Sequence, residues 1–212
     1  MNVGSVSPEE SRDLRQSQKR DRRRRRILDA AEAVFAERGF HEASMTEIAT
    51  RSEFAAGTLY LYFRDKADLY GSLILEKMDE LAAQIEAALQ NAPTAAEGLR
   101  ALARTQFSFH DANRRFFEIF LQQTQLASTP VHPGHWEAME SAKRRIREAL
   151  EASIRAGQAA GQLKPGDASF YAVAFLGMIL QIIRQSIRDA QPGELVGLAD
   201  QATEIFLNGT AL

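Results

Sequence analysis

The 212-residue chain has no cysteine, one tryptophan and four scattered histidines. Without thiols there is no disulfide framework and no thiolate zinc site, which fits a reducing compartment such as the cytoplasm. His132 and His135 are three apart, but Pro133 and Gly134 place them in a loop with no evident third ligand, so no metal is expected. No glycine-rich phosphate loop, nucleophile elbow or His-Glu zinc motif occurs. The chain is therefore not expected to be an enzyme or to carry a cofactor. Met1 to Pro8 lacks the basic-then-apolar run of a signal peptide. The longest apolar run, residues 170–183, is 14 residues and contains Gln181. A bilayer span needs roughly 20 residues, so the run is expected to be a helix buried in protein, with no membrane partner. No segment alternates polar and apolar residues over a strand's length, which argues against sheet.

What is present reads as helix after helix. The hydrophobic fraction of 45% suffices for a core. Net charge is −2, but unevenly spread: residues 1–66 carry 13 Lys/Arg against 11 Asp/Glu, and the basic excess peaks at Lys19–Arg26, where seven of eight residues are basic. Residues 1–18 are polar and aperiodic and are expected to be disordered. A first helix is predicted from about Arg22 to Arg38. Ile27, Ala30, Ala31, Val34 and Phe35 form its apolar face, and Gly39 suits its C-terminal cap. Ser44-Met45-Thr46-Glu47 has the form of a capping box opening a second helix. A short third helix is predicted over about 56–63, and a long one over about 66–90 with Leu69, Leu73, Ile74, Met78, Leu81, Ile85 and Leu89 as its stripe. Further helices are predicted at about 95–111, 113–127, 135–160, 168–189 and 193–208, punctuated by Pro93, Pro130, Pro133, Gly161, Pro165 and Pro192.

Three short helices followed by a long one have the spacing of a helix-turn-helix, whose second helix enters the major groove. Ile48, Ala49, Phe54, Leu59 and Phe63 can supply its core, leaving Ala56, Gly57, Thr58, Leu61 and Tyr62 outward.

These residues carry a resemblance. Ala30 to Phe40, Ser44 to Ala49 and Gly57 to Leu69 resemble, in order and spacing, the TetR/AcrR family of bacterial regulators. The resemblance covers about residues 22–70. It implies an all-α protein with an N-terminal three-helix DNA-binding domain over 19–66, preceded by the extension 1–18. A C-terminal helical ligand-binding and dimerisation domain would follow over 67–212. It also implies a repressor that binds a near-palindromic operator as a homodimer and is released by a small effector. Ser44, Tyr60, Tyr62 and Lys66 match positions that contact phosphates. Thr46, Ala56, Gly57, Thr58 and Leu61 match positions that face base edges. With no Arg, Asn or Gln on the recognition helix, part of the specificity is expected from DNA shape. The family's turn usually reads Ala-Gly-Val-Ser; here it is Ser52-Glu53-Phe54-Ala55, so the glycine is Glu53 and the capping serine is Ala55. Arg22 and Arg23 have two readings: an arm reaching phosphate or the minor groove, or a solvated helix start.

For the second domain the family implies dimerisation through the last two helices, about 168–189 and 193–208. Their apolar residues agree with that independently: 170–183 is apolar nearly all round, and Leu195, Leu198, Ala199, Ala202, Ile205 and Phe206 form a stripe. Aromatics gather in the middle helices. Phe107, His110, Phe117, Gln123, Trp136 and Phe175 are the candidate effector contacts, with Gln106, Gln122 and Gln181 as further polar candidates, so the effector would be apolar or aromatic. Two rival classes are separable. An enzyme would keep its activity without residues 1–66. A protein-interaction module with a degenerated helix-turn-helix would bind with little salt dependence.

Overall fold

The computed structural model describes residues 8–114, 116–118, 131–188 and 195–210. They form helices and connections with no β-strand. The chain divides into two compact units, Met1–Leu73 and Ile74–Leu212.

The first unit contains α1 (Pro8–Glu42), α2 (Met45–Ser52), α3 (Ala56–Leu59) and the start of α4 (Lys66–Gln90). The predicted apolar face of α1 is buried: Ile27, Ala31, Val34 and Phe35 meet Ile48, Leu59, Phe63, Leu69 and Tyr70 in one core. Phe35, Phe40 and Tyr70 form an aromatic nest with ring centroids 5.0 to 6.0 Å apart. Each such buried side chain contributes about 1.5–3 kcal/mol. Gly39 adopts φ 75°, a left-handed conformation that breaks regular helix geometry in α1 and that glycine tolerates best.

Two expectations are corrected here. Residues 8–18 are helical, not disordered, and the arginine run lies within the same helix, so Arg22 and Arg23 do not form an extended arm. Pro8 pre-sets helical φ at the first position, and Leu14, Arg15, Gln16, Gln18, Lys19 and Arg20 are good helix formers. The absence of an apolar face hid the helix from periodicity, because its residues from 12 to 23 are exposed. In addition, α3 closes at Leu59. Its continuation to Tyr62 is a turn held by Leu61 N–H to Thr58 O and Phe63 N–H to Leu59 O.

The second unit contains the rest of α4, α5 (Ala95–Ala112), α6 (Pro133–Ala159), α7 (Ala168–Arg188) and α8 (Leu198–Thr210). α5 packs against α6, α7 and α8, and α7 against α6 and α8. Thr94 caps α5 by accepting from Glu97 N–H. Gly157 lets α5 and α6 approach closely, since a Cβ there would overlap that of Ala95. Arg145 on α6 bridges Asp79 and Glu86 on α4 at 3.1 and 2.7 Å, and this bond to Arg145 holds the Glu86 carboxyl below its ordinary pKa. Of the predicted 113–127 helix, residues 114 and 116–118 are helical, and 119–127 lie outside the described residues. α6 begins at Pro133, two residues earlier than predicted, because proline fits the first helical position. α8 begins at Leu198, since Leu195–Gly197 form a turn.

The expectation that residues 170–183 are buried does not hold within one chain. Ala172, Phe175, Ile179 and Ile183 face inward, but Phe170 is 66% and Val173 55% exposed, with Leu180 beside them. The stretch Ala168–Ile187, of mean hydropathy 1.5, is long and apolar enough to cross a membrane, and 28% of its most apolar window is buried. On α8, Leu198 and Ile205 are exposed likewise.

Candidate nucleic-acid interface

Ser44 caps α2 as predicted: its Oγ accepts from Glu47 N–H at 3.1 Å. The Glu47 carboxylate instead lies 3.4 Å from Arg38 Nε, so the reciprocal half of the box becomes an ion pair. Ser44 and Thr46 are both exposed. An exposed hydroxyl that accepts from a backbone amide still has its own proton to donate, for instance to a phosphate.

The turn after α2 is a complete Schellman motif. Phe54 N–H donates to Ala49 O and Glu53 N–H to Thr50 O, with Glu53 left-handed at φ 60°, ψ 34°. A left-handed residue with a Cβ costs about 1–2 kcal/mol. Arg26 clamps the turn from α1: it donates to Ser52 O at 3.2 Å and to the Glu53 carboxylate at 2.5 Å, and lies over the Phe54 ring at 5.1 Å. The acidic side chain that replaces the turn glycine is thus neutralised within the chain. Ala55 begins α3 without a side-chain cap.

Beyond that turn, α3 presents a small-residue face. A Cβ at Gly57 would meet nothing within 4 Å, and Ala56 and Thr58 are half-buried beside it. Leu59 and Phe63 anchor the element, while Leu61 is 77% and Tyr60 54% exposed. Tyr62 is half-buried. Small side chains let a backbone approach a groove closely, and Thr58 and Leu61 offer methyl groups of the kind that meet thymine.

Lys66 departs from the sequence reading. Its ammonium donates to His41 O at 2.9 Å and Ala43 O at 2.7 Å and sits 4.6 Å from the Phe40 ring centroid. Burial lowers its pKa, opposed by the Glu42 carboxylate. Lys66 therefore staples α4 to the end of α1 and keeps at most one donor for an outside anion. Sequence spacing did not reveal this, because the partners are carbonyls, which every residue type carries.

The candidate effector residues scatter. Phe107, His110, Phe117 and Phe175 are buried. His110 stacks on Phe117 at 4.2 Å, and its Nδ1–H donates to Gln106 O at 2.7 Å. That bond fixes Nδ1 as the donor, and burial lowers the imidazole pKa, so His110 is neutral with Nε2 as an acceptor. Gln106 is buried, and its Oε1 has no hydrogen-bond partner among the described residues. Phe175 packs against Phe206 at 4.9 Å. Trp136 is 38% exposed on α6, and Gln181 faces outward on α7. Gln122 and Gln123 lie outside the described residues. A cleft of about 470 Å³ opens elsewhere, among Leu89, Pro93, Thr94, Ala156, Gly157 and Gln162, and none of the predicted contacts lines it. Small residues at the α5–α6 approach were its only sequence sign. Among the described residues, no group of three or more acidic or histidine side chains could hold a metal ion.

A capped helix, a tight turn and a second helix with an exposed small-residue face, followed by a separate helical unit, define a helix-turn-helix transcriptional regulator. The chain belongs to the TetR family: residues 27–73 match the model of bacterial regulatory proteins of the tetR family, and residues 92–184 match a tetracyclin repressor-like C-terminal domain. That family comprises DNA-binding regulators rather than enzymes. The chain is similar to the fatty acid metabolism regulator protein of Bacillus subtilis, with 27% identity over 86% of this chain and 93% of that one. It is 37% identical to the HTH-type transcriptional activator FasR of Mycolicibacterium smegmatis, over 53% of this chain and 51% of that one. The crystal structure of the regulator FadR from Bacillus subtilis in complex with stearoyl-CoA superposes with a TM-score of 0.74 at 26% identity, covering 87% of this chain and 97% of that chain.

Proposed function

We propose that the protein is a homodimeric cytoplasmic repressor that binds a near-palindromic operator and is released by a long-chain fatty acyl thioester. The observation that carries this reading is the exposed face of α3, Gly57 with Tyr60 and Leu61, in a chain similar over most of its length to a regulator seen with stearoyl-CoA. Ser44, Tyr60 and Tyr62 contact phosphates. Thr46, Ala56, Gly57, Thr58 and Leu61 face base edges, and Arg22 and Arg23 add phosphate contacts. The outward stripes of α7 and α8 pair with those of a second copy. This sets two recognition helices at a spacing of one helical turn of DNA or a multiple. An acyl chain enters among Phe107, Phe117 and Phe175, with His110 beside it. Its binding favours another spacing of the two recognition helices, transmitted along α4. Moving occupancy from 99:1 to 1:99 needs about 5.5 kcal/mol of preference for the non-binding state.

Selection of genomic fragments by the purified protein tests this, with a Thr58→Val/Tyr62→Ala variant alongside. The expected result is one near-palindrome enriched by wild type and not by the variant, and released by micromolar stearoyl-CoA. No enrichment over the variant would overturn the regulator reading as stated. Enrichment that stearoyl-CoA does not reverse would remove the effector alone, and enrichment that it increases would make the protein an activator or corepressed.

A further inference from the structure

The exposed part of α1 carries a charge pattern that extends well beyond the Arg22 and Arg23 already assigned to phosphates. Arg12, Arg15, Lys19, Arg22, Arg23 and Arg26 recur at helix spacings of three and four, so they fall on one face. Asp13 and Asp21 fall on the opposite face. All of these are exposed. A solvated helix would gain from acids placed among its bases, since opposite charges at these spacings stabilise and like charges destabilise by similar amounts. This helix does the reverse: Arg15–Lys19, Lys19–Arg23 and Arg22–Arg26 are like pairs four apart. Arg15, Lys19, Arg22 and Arg23 have no acidic partner among the described residues. The stripe is also in register with the reading element. Its last member, Arg26, is the residue that clamps the Ser52–Glu53 turn ahead of α3.

From this pattern we infer that the helical extension of α1 is a second DNA contact, a rod whose basic face lies along the phosphates beside the half-site that α3 reads. The inference rests on the DNA-binding reading above. From Arg12 to Arg26 the rod is about 21 Å long at 1.5 Å per residue. That length corresponds to roughly six base pairs of duplex at 3.4 Å each. Phosphates between adjacent cations relieve the repulsion that the free helix carries. The contact adds affinity and salt dependence without reading sequence.

The test is the salt dependence of binding of the full-length protein to a random-sequence duplex of about 40 base pairs. The Arg15→Gln/Lys19→Gln/Arg22→Gln/Arg23→Gln variant is expected to lose about 0.9 from the log–log slope per lost contact and at least tenfold in affinity at moderate salt. The single variants Lys19→Gln and Arg20→Gln change charge equally on different sides of the helix, and need no fold check beyond helicity. Lys19→Gln is expected to flatten the slope and Arg20→Gln to leave it unchanged. An unaltered slope in the quadruple variant, or equal effects of the two single ones, would overturn the rod. Binding of wild type to phosphatidylglycerol vesicles, with the duplex slope unaltered in the variants, would also overturn it by assigning the stripe to lipid. The two readings fail separately. If wild type selects an operator but the quadruple variant matches it, only the rod falls. If wild type binds no duplex at low salt, both fall.

Discussion

Between Ile27 and Tyr70 the large apolar side chains other than Tyr60 and Leu61 largely cover one another, whereas α7 and α8 leave Phe170, Val173, Leu180 and Ile205 facing outward. Both units expose apolar residues, but in different patterns. In the first, Leu61 and Tyr60 sit on a small-residue ridge beside hydroxyls. In the second, the exposed residues form helical stripes on adjacent elements. An isolated apolar side chain among polar groups suits a wet, mixed surface such as a DNA groove. A continuous stripe suits burial against another apolar surface. The first unit completes its own core and carries the DNA-reading element, while the second leaves an apolar surface that the proposed second copy would cover.

The sharpest way to break this contrast is to truncate one aromatic in each place. Phe35→Ala removes a fully buried ring from the Phe35–Phe40–Tyr70 nest and is expected to cost about 3–5 kcal/mol. Urea unfolding should show this loss equally at all protein concentrations. Phe170→Ala removes an exposed ring, so its loss should appear only as a change in how stability depends on protein concentration. Concentration dependence of the same size in both variants would dissolve the distinction.

A charge on the stripe sharpens it further. Val173→Glu keeps α7 helical but places a carboxylate in the surface proposed to meet the second copy. Sedimentation should give a folded monomer, and operator affinity should fall at least tenfold, because the two half-sites are no longer bound as one ligand. A variant that stays dimeric would move the interface elsewhere.

What could be read from the sequence divides along the same line. The cores of α1 to α4 follow periods and caps that a short window contains: Ile27 to Phe35, the Ser44 cap, the Leu69–Leu89 stripe. The extension escaped because its residues 12–18 are helical without burial, which leaves no period. The Lys66 staple escaped because its acceptors are backbone atoms some 23 to 25 residues away. In the second unit, Trp136 read as a pocket aromatic and lies exposed on α6, while the cleft lined by Ala156 and Gly157 has no aromatic side chain among its lining residues. Pocket-lining and core-filling aromatics look alike in a sequence, because both are apolar residues on the inner face of a helix.

A smaller effect should separate the units by pH. Burial depresses the His110 pKa, partly offset by its bond to the Gln106 carbonyl and by Asp111. Below the ordinary histidine pKa of about 6.5 the unfolded chain therefore binds a proton that the folded chain refuses. This contribution is constant above about pH 6.5, and stability falls as pH drops from there toward the depressed value. His110→Phe should flatten that limb in urea unfolding between about pH 6.5 and 5, an interval set by the ordinary histidine pKa. An unchanged limb would assign the acid sensitivity to other groups.

The smallest effect compares the same device in both units. α6 ends in a Schellman motif with Gly161 at φ 69°, Gln162 N–H donating to Gly157 O and Gly161 N–H to Gln158 O. α2 ends in the same motif with Glu53 at φ 60°. Gly161→Glu should therefore cost about 1–2 kcal/mol, the left-handed penalty of a side chain with nothing to hold it. Glu53→Gly relieves that same penalty but gives up the exposed pair with Arg26, worth about 0.2–1 kcal/mol, and adds chain entropy to the unfolded state. The sum should lie within about 1 kcal/mol of zero. The freed Arg26 guanidinium would then be available to a phosphate, so operator affinity should rise slightly and its salt dependence steepen by up to one contact. If Glu53→Gly instead destabilises by 2 kcal/mol or more, the Arg26 clamp, and not the helix cap, is what holds the turn.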